Sequence, residues 1–332
     1  MKNRIAIIRP FFQGHFLNYF QLFLNSCKAN KEFDWFIFTD NEDSYDYPEN
    51  VHKIMMTFDE MRDLVKKKFT MEVSLERPYK LCDYKCAYGY IFSEYIKDYD
   101  FWGHTDYDVI YGRLGKFVTD DILDKYDKIF TQGHFTLYRN TKEISEMFMD
   151  KIDGRYLYKE VMQSDQNKNF DEDWNGILNV NDIFRQNRVP IYYNENNKAM
   201  VADIYTKSSN FKVTYQNPGE WIDIIEHKKN AVFVYDNGKL LRYEYVNGHV
   251  SCSEYMYIHL QKRQMKVDDK LLNNSKQAFT IIPNAFETLE CPVDDTTFKR
   301  INQKNFNVHY FKLRAKNLKI KITQRIFTRK TS

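Results

Sequence analysis

Glycine, proline and cysteine are all scarce in this chain of 332 residues. Eleven glycines and seven prolines exclude a collagenous, linker-dominated or disordered polypeptide. Five cysteines (Cys27, Cys82, Cys86, Cys252, Cys291) are an odd number, widely spaced and without a CxxC pair. That argues against a disulfide framework or a zinc knuckle and for a reducing compartment. Cys82 and Cys86, four apart on an expected helix, read as core packing. No run approaches the ~20 apolar residues that span a bilayer, and a charged fraction of 29% excludes a polytopic membrane protein. The start, Met1-Lys2-Asn3-Arg4 before residues 5–8 and then Arg9-Pro10, is too soon broken for a signal peptide, so the expected location is the cytoplasm. Acidic residues are absent after Asp295. Eleven Lys and Arg follow it, leaving 38 basic and 46 acidic side chains before it: a body of net −8 and a tail of +11.

What is present supports a sizeable core. Hydrophobic residues make up 43% of the chain, with 26 Phe and 25 Tyr; most of these rings are expected inside, although such rings also stack on sugars or bases. The length fits two domains of roughly 150 residues or one large α/β domain with an appendage.

Residues 5–8 are a continuous apolar run, as in a strand buried on both faces of a parallel sheet. A helical pattern follows over 16–27 and a second aromatic-rich strand over 34–40. This β-α-β opening predicts a doubly wound sheet, in which ligands gather at the carboxyl ends of the strands. Arg9 and Asp40 stand at two such ends. No GxGxxG follows the first strand, so the dinucleotide fingerprint is missing. Helices are predicted over 59–68 and 81–96, then a strand over 101–105, another over 128–131, and a helix capped by Thr141. Asp236-Asn237-Gly238 predicts a hairpin within 231–245, and 255–260 reads as a further strand ending near His259.

Asp106-Tyr107-Asp108 is a DxD that follows an apolar strand. Two carboxylates so spaced are suited to hold Mg²⁺ or Mn²⁺ against a diphosphate. The same spacing recurs at Asp98/Asp100 and Asp171/Asp173, so it is weak by itself. His259 precedes Lys262 and Arg263 by three and four residues: it would complete a metal site while the cations hold phosphate, or it is an ordinary packed histidine. Lys80, Asp83 and Lys85 lie at an expected helix start, where phosphate is favoured, or form a surface salt-bridge set. Asp171-Glu172-Asp173 would bind sugar hydroxyls, supply a catalytic base, or cap the next helix.

The order Arg9-Pro10-Phe11-Phe12, Phe38-Thr39-Asp40, Pro78-Tyr79-Lys80-Leu81-Cys82-Asp83-Tyr84-Lys85, Trp102-Gly103-His104-Thr105-Asp106-Tyr107-Asp108-Val109-Ile110-Tyr111-Gly112, Gly133-His134-Phe135-Thr136-Leu137-Tyr138-Arg139-Asn140 and Ile258-His259-Leu260-Gln261-Lys262-Arg263 resembles a family of bacterial glycosyltransferases from capsule, exopolysaccharide and O-antigen gene clusters. The resemblance spans roughly residues 4–265. It implies an α/β, GT-A-like doubly wound mixed sheet flanked by helices, with a nucleotide-sugar half over about 1–140 and an acceptor half over about 141–265. Residues 266–332 are then a C-terminal extension. It further implies Asp106 and Asp108 as ligands of Mn²⁺ or Mg²⁺ with His259 as the third, and Asp40 at the nucleoside. Lys80, Asp83 and Lys85 would face the ribose, diphosphate or donor sugar, joined by Arg9, Lys262 and Arg263. Asp171 and Glu172 would lie near donor and acceptor, one of them the base if transfer inverts. Many members of the wider fold have one acid there; this chain has three. The implied reaction moves a sugar from a nucleotide-sugar, UDP-hexose above all, to a hydroxyl of a lipid-linked glycan.

Phe311, Ala315, Leu318, Ile322 and Ile326 fall at helical spacing among Lys and Arg, a pattern that lies on anionic lipid. Peripheral association with the inner face of the cell membrane is therefore expected. An acidic body makes nucleic acid a poor partner. Two other readings remain open: a metal-dependent hydrolase of sugar nucleotides or phosphodiesters, and a non-enzymatic carbohydrate-binding protein at the membrane.

Overall fold

A computed structural model of the chain describes residues 1–173, 176–193, 199–202, 211–217, 220–225, 231–263, 265–272, 278–282 and 284–301, with 311, 315 and 318. The first apolar run becomes β1 (Ile5–Phe11), buried along its whole length. It lies between β2 (Phe33–Thr39) and β4 (Phe101–Thr105), with β3 (Val51–Met55) beyond β2; all four run parallel. Successive residues of a strand point to opposite faces, and both faces are covered. Ile5 and Ile7 pack with Phe20 and Phe23 of α1 (Phe20–Lys28). Ala6 and Ile8 pack with Met61 and Val65 of α2 (Phe58–Lys68). The expected double winding is therefore present. α2 opens with a capping box between Thr57 and Glu60, which satisfies two backbone donors of its first turn.

After β4 come β5 (Val109–Tyr111), β6 (Lys128–Gln132), β7 (Phe135–Arg139) and β8 (Ile191–Tyr192). β7 runs antiparallel to β4 and β6 antiparallel to β7, which makes the first sheet mixed: β3-β2-β1-β4-β7-β6-β8. β9 (Ala199–Ala202), β10 (Phe211–Asn217) and β11 (Glu220–Ile225) are followed by β12 (Ala231–Asp236), β13 (Lys239–Val246), β14 (His249–Tyr255) and β15 (Tyr257–His259). β16 (Lys266–Val267), β17 (Phe279–Ile282) and β18 (Ala285–Thr288) complete the described strands. A second sheet has the order β11-β10-β9-β15-β5, and a third β14-β13-β12-β17-β18-β16. The predicted hairpin is β12–β13, turned by Asn237 and Gly238 at φ 46° and 80°, the left-handed pair that a two-residue hairpin turn requires.

The helix expected over 81–96 is different. Pro78–Ala87 is a 3-10 helix, Tyr88–Ile91 (α3) one α-helical turn, and Ser93–Tyr95 again 3-10. In a 3-10 helix residues i and i+3 eclipse; here that stacks Lys80 Nζ on Asp83 Oδ2 at 2.7 Å, both fully buried. Gly89 allows this segment to lie on Trp102, since a Cβ there would meet the indole at 2.2 Å. Four further short helices are α4 (Asp120–Lys125), α5 (Lys142–Glu146), α6 (Leu157–Met162) and α7 (Val180–Gln186). Thr141 caps α5 as expected, accepting from Ile144 N.

Pairing crosses the boundaries drawn from sequence. β8 joins β6 across residue 140, and β17 joins β12 across residue 265, so β16, β17 and β18 belong to the third sheet. Phe311, Ala315 and Leu318 of the basic stripe are helical and exposed; Ile322 and Ile326 lie outside the described residues. All five cysteines are free thiols. Among the described residues no helix is long and apolar enough to cross a membrane.

Candidate functional site

The chain leaves the first sheet at Thr105 and enters the second at Val109, and Asp106-Tyr107-Asp108 is the whole of the link. β15 pairs antiparallel with β5, setting His259 opposite Val109. The ladder continues one step as Leu260 N donates to Asp108 O at 2.8 Å. Strand register thus brings His259 beside Asp108. On the other side Phe135 of β7 stands opposite Thr105, and Asp106 N donates to His134 O at 3.3 Å.

His259 Nε2 lies 3.7 Å from Asp106 Oδ2 and 3.5 Å from Asp108 Oδ1. One donor atom from each of the three residues fits within 4.8 Å of the others. Asp108 is 1% exposed, and its Oδ1 accepts no hydrogen bond among the described residues. A buried carboxylate oxygen without a donor is costly. Facing a second carboxylate and an imidazole, it fits a divalent cation, for which these are ordinary ligands. Asp108 Oδ2 accepts from Lys262 N. That contact needs a sharp turn, and Gln261 and Lys262 both adopt left-handed φ, 51° and 56°. Neither is glycine, and each such residue costs on the order of 1 kcal/mol.

Cations and acids surround the triad. Lys85 Nζ is 3.1 Å from Asp106 Oδ1 and 3.4 Å from Asp171 Oδ2, and donates to Gly133 O at 2.8 Å. Arg9 Nη2 lies 3.9 Å from Asp106 Oδ1, its guanidinium over the Tyr107 ring. Burial pushes the Asp106 carboxyl up, but Lys85 and Arg9 outweigh it and hold the group well below the usual carboxylate range. Burial also raises Asp171; there Asp106 adds to the effect and Lys85 only partly offsets it. Glu172 is pushed up to about 7 by burial and by the neighbouring Asp171. Its Oε2 accepts from Gly133 N at 3.2 Å. A side chain at Gly133 would meet Asp171 Oδ2 and Glu172 Oε2 at 2.8 Å each. Burial disfavours the charged His259 ring, yet Asp108 and Asp106 together raise its pKa.

Of the residues singled out in the sequence, the fold gathers Arg9, Lys85, Asp106, Asp108, Asp171, Glu172 and His259. It does not gather the rest. Lys80 and Asp83 bond each other, and Lys80 Nζ also donates to Val161 O and Gln166 O. Asp83 accepts from Lys168 N and Phe170 N. Their bonding capacity is used in pinning this loop, which corrects the expectation that they face a ligand. Asp40 is exposed beyond β2, and no bond ties it to the triad among the described residues. Lys262 contributes its backbone, while its ammonium sits over the exposed Tyr79 ring at 4.2 Å. Arg263 is 1% exposed, so its guanidinium is buried rather than offered to solvent. Asp173 pairs with Arg185 at 2.5 Å. The cap of α7 is Asn179, boxed with Asp182, and not the acidic cluster.

Sequence reasoning gave no role to Gly133, His134, Gln132 or Tyr257. Gly133 and His134 stood in a stretch that carries the resemblance but drew no role from it, and the places of Gln132 at the end of β6 and Tyr257 on β15 become readable once the strands are paired.

The family model for DUF6625, a family of unknown function, matches residues 7–290, and the chain belongs to that family. No curated protein matches it.

Proposed function

We propose that this protein is a metal-dependent glycosyltransferase with a GT-A-like fold. It would move a sugar, a hexose carried on UDP above all, to a hydroxyl of a glycan or lipid-linked oligosaccharide in surface polysaccharide synthesis. The observation that carries the reading is the convergence of Asp106, Asp108 and His259 at the carboxyl end of β4, with Arg9 and Lys85 on one side and Asp171 and Glu172 on the other. Nucleotide-sugar chemistry uses this distribution: cations for the departing diphosphate and, if transfer inverts, a carboxylate for the incoming hydroxyl.

Asp106, Asp108 and His259 would hold Mn²⁺ or Mg²⁺. Such an ion supplies neutralisation of charge on a leaving diphosphate. Arg9 and Lys85 add fixed positive charge in a site shielded from water, where it acts most strongly. Glu172, with its carboxyl near 7, is the better candidate to take the acceptor proton if transfer inverts. Asp171 is tied to Lys85 and positions that lysine. The basic tail would hold the enzyme on the inner face of the membrane, where a lipid-linked acceptor resides.

The test is turnover of a nucleotide-sugar panel with Mn²⁺, with and without glycan acceptors, in the wild type and Asp108→Ala. The reading expects acceptor-dependent transfer that Asp108→Ala reduces at least a hundredfold. Fast hydrolysis without acceptor would favour a sugar-nucleotide hydrolase using the same carboxylates. No turnover and no nucleotide binding would favour a carbohydrate-binding protein.

A further inference from the structure

We infer that His134 is a positioning residue that sets the His259 ring, and that Tyr257 and Gln132 fix its tautomer; this rests on the metal reading above. An imidazole that ligates a metal ordinarily donates its other ring N–H to a carboxylate or carbonyl, which fixes the ring plane. His259 has no such partner: its Nδ1 is buried and makes no hydrogen bond among the described residues. What holds the ring is a face. The His134 ring stacks on it with centroids 4.4 Å apart and planes 28° apart.

His134 is itself held firmly. Tyr257 and His259 are two apart on β15 and so share a face, while Gln132 and His134 are two apart across the end of β6. The two pairs oppose each other. Tyr257 O–H donates to Gln132 Oε1 at 2.5 Å. With the Gln132 amide in this orientation the single phenolic proton is committed, and the contact of 2.9 Å between Tyr257 OH and His134 Nδ1 is assigned as a donation from Nδ1–H to the phenol oxygen. That assignment makes His134 the Nδ1-protonated tautomer, which the spectra below test. Its ring plane, and with it the plane of His259, is set by a chain running back to the first sheet.

The experiment measures Mn²⁺ affinity by titration of the full-length protein, with histidine ¹⁵N spectra of the metal-free protein. His134→Ala removes the face and is expected to weaken Mn²⁺ binding about tenfold or more, the range for residues that orient a ligand. His134→Phe restores a face without the hydrogen bond and is expected to bind within about threefold of wild type. The wild-type spectrum is expected to show His134 protonated at Nδ1; Tyr257→Phe, which keeps the ring and the fold, is expected to give a tautomer mixture. Unchanged binding in His134→Ala, equal losses in the Ala and Phe variants, or an Nε2-protonated His134 overturns the inference alone. A wild type whose Mn²⁺ binding is absent, or survives Asp108→Ala, overturns the metal reading and this inference with it.

Discussion

Glu172 shows how the surroundings of one side chain set both its use and its cost. Burial and Asp171 hold its carboxyl near 7 in the folded protein, against 4.5 in an exposed chain. Between those values the folded state binds the extra proton, so the contribution of Glu172 to stability is fully present below about 4.5 and is lost as the pH rises through 7. Glu172→Gln removes that decline. The variant is expected to melt higher than wild type at pH 8 and no higher near pH 4, by calorimetry at both. An equal gain at the two pH values, or a loss at pH 8, contradicts the assignment. The acids of the site were legible in the sequence, because residue type and proximity to a strand end suffice to nominate them. Which of three neighbouring acids faces inward was not: that depends on Gly133, where only a missing Cβ leaves room for Asp171 and Glu172.

Among the elements, the 3-10 segment before β4 departs most from its sequence pattern. Periodicity suggested an α-helix over 81–96, and its apolar positions Leu81, Tyr84, Tyr88, Ile91 and Phe92 are buried, while Tyr95 is exposed. A threefold screw serves the buried Lys80–Asp83 pair better, since it sets the two side chains in line. Spacing of three is compatible with either helix, so the sequence carried no means of choosing. Asp83 also receives the Lys168 and Phe170 amides. Asp83→Ala would leave the buried Lys80 ammonium without its counter-charge, still bonded only to Val161 O and Gln166 O, and those amide donors unpaired, and is expected to cost about 3–5 kcal/mol in urea unfolding. Metal affinity of the folded protein should stay within about threefold, because neither residue touches the triad. A cost below about 1 kcal/mol would show that the pair is not what pins this loop.

At the scale of the whole molecule, the opening β-α-β unit and the hairpin at Asn237-Gly238 were readable, because each depends on local pattern. The three-sheet arrangement was not. It rests on pairings such as β15 with β5 and β17 with β12, between segments remote in sequence. For the same reason His259 was nominated by motif and resemblance, while the register that seats it next to Asp108 appears only in the fold. The division of charge, −8 in the body and +11 in the tail, predicts binding to anionic but not to neutral vesicles. Deleting residues 311–332 is expected to abolish sedimentation with anionic liposomes; undiminished sedimentation removes the membrane claim.

β4, β5 and β15 bring two carboxylates and an imidazole close enough to share one cation. Diffraction from Mn²⁺-soaked crystals at the manganese absorption edge tests it most directly. A single anomalous peak bounded by Asp106, Asp108 and His259 is expected. A peak elsewhere, or none at saturating Mn²⁺, would contradict it.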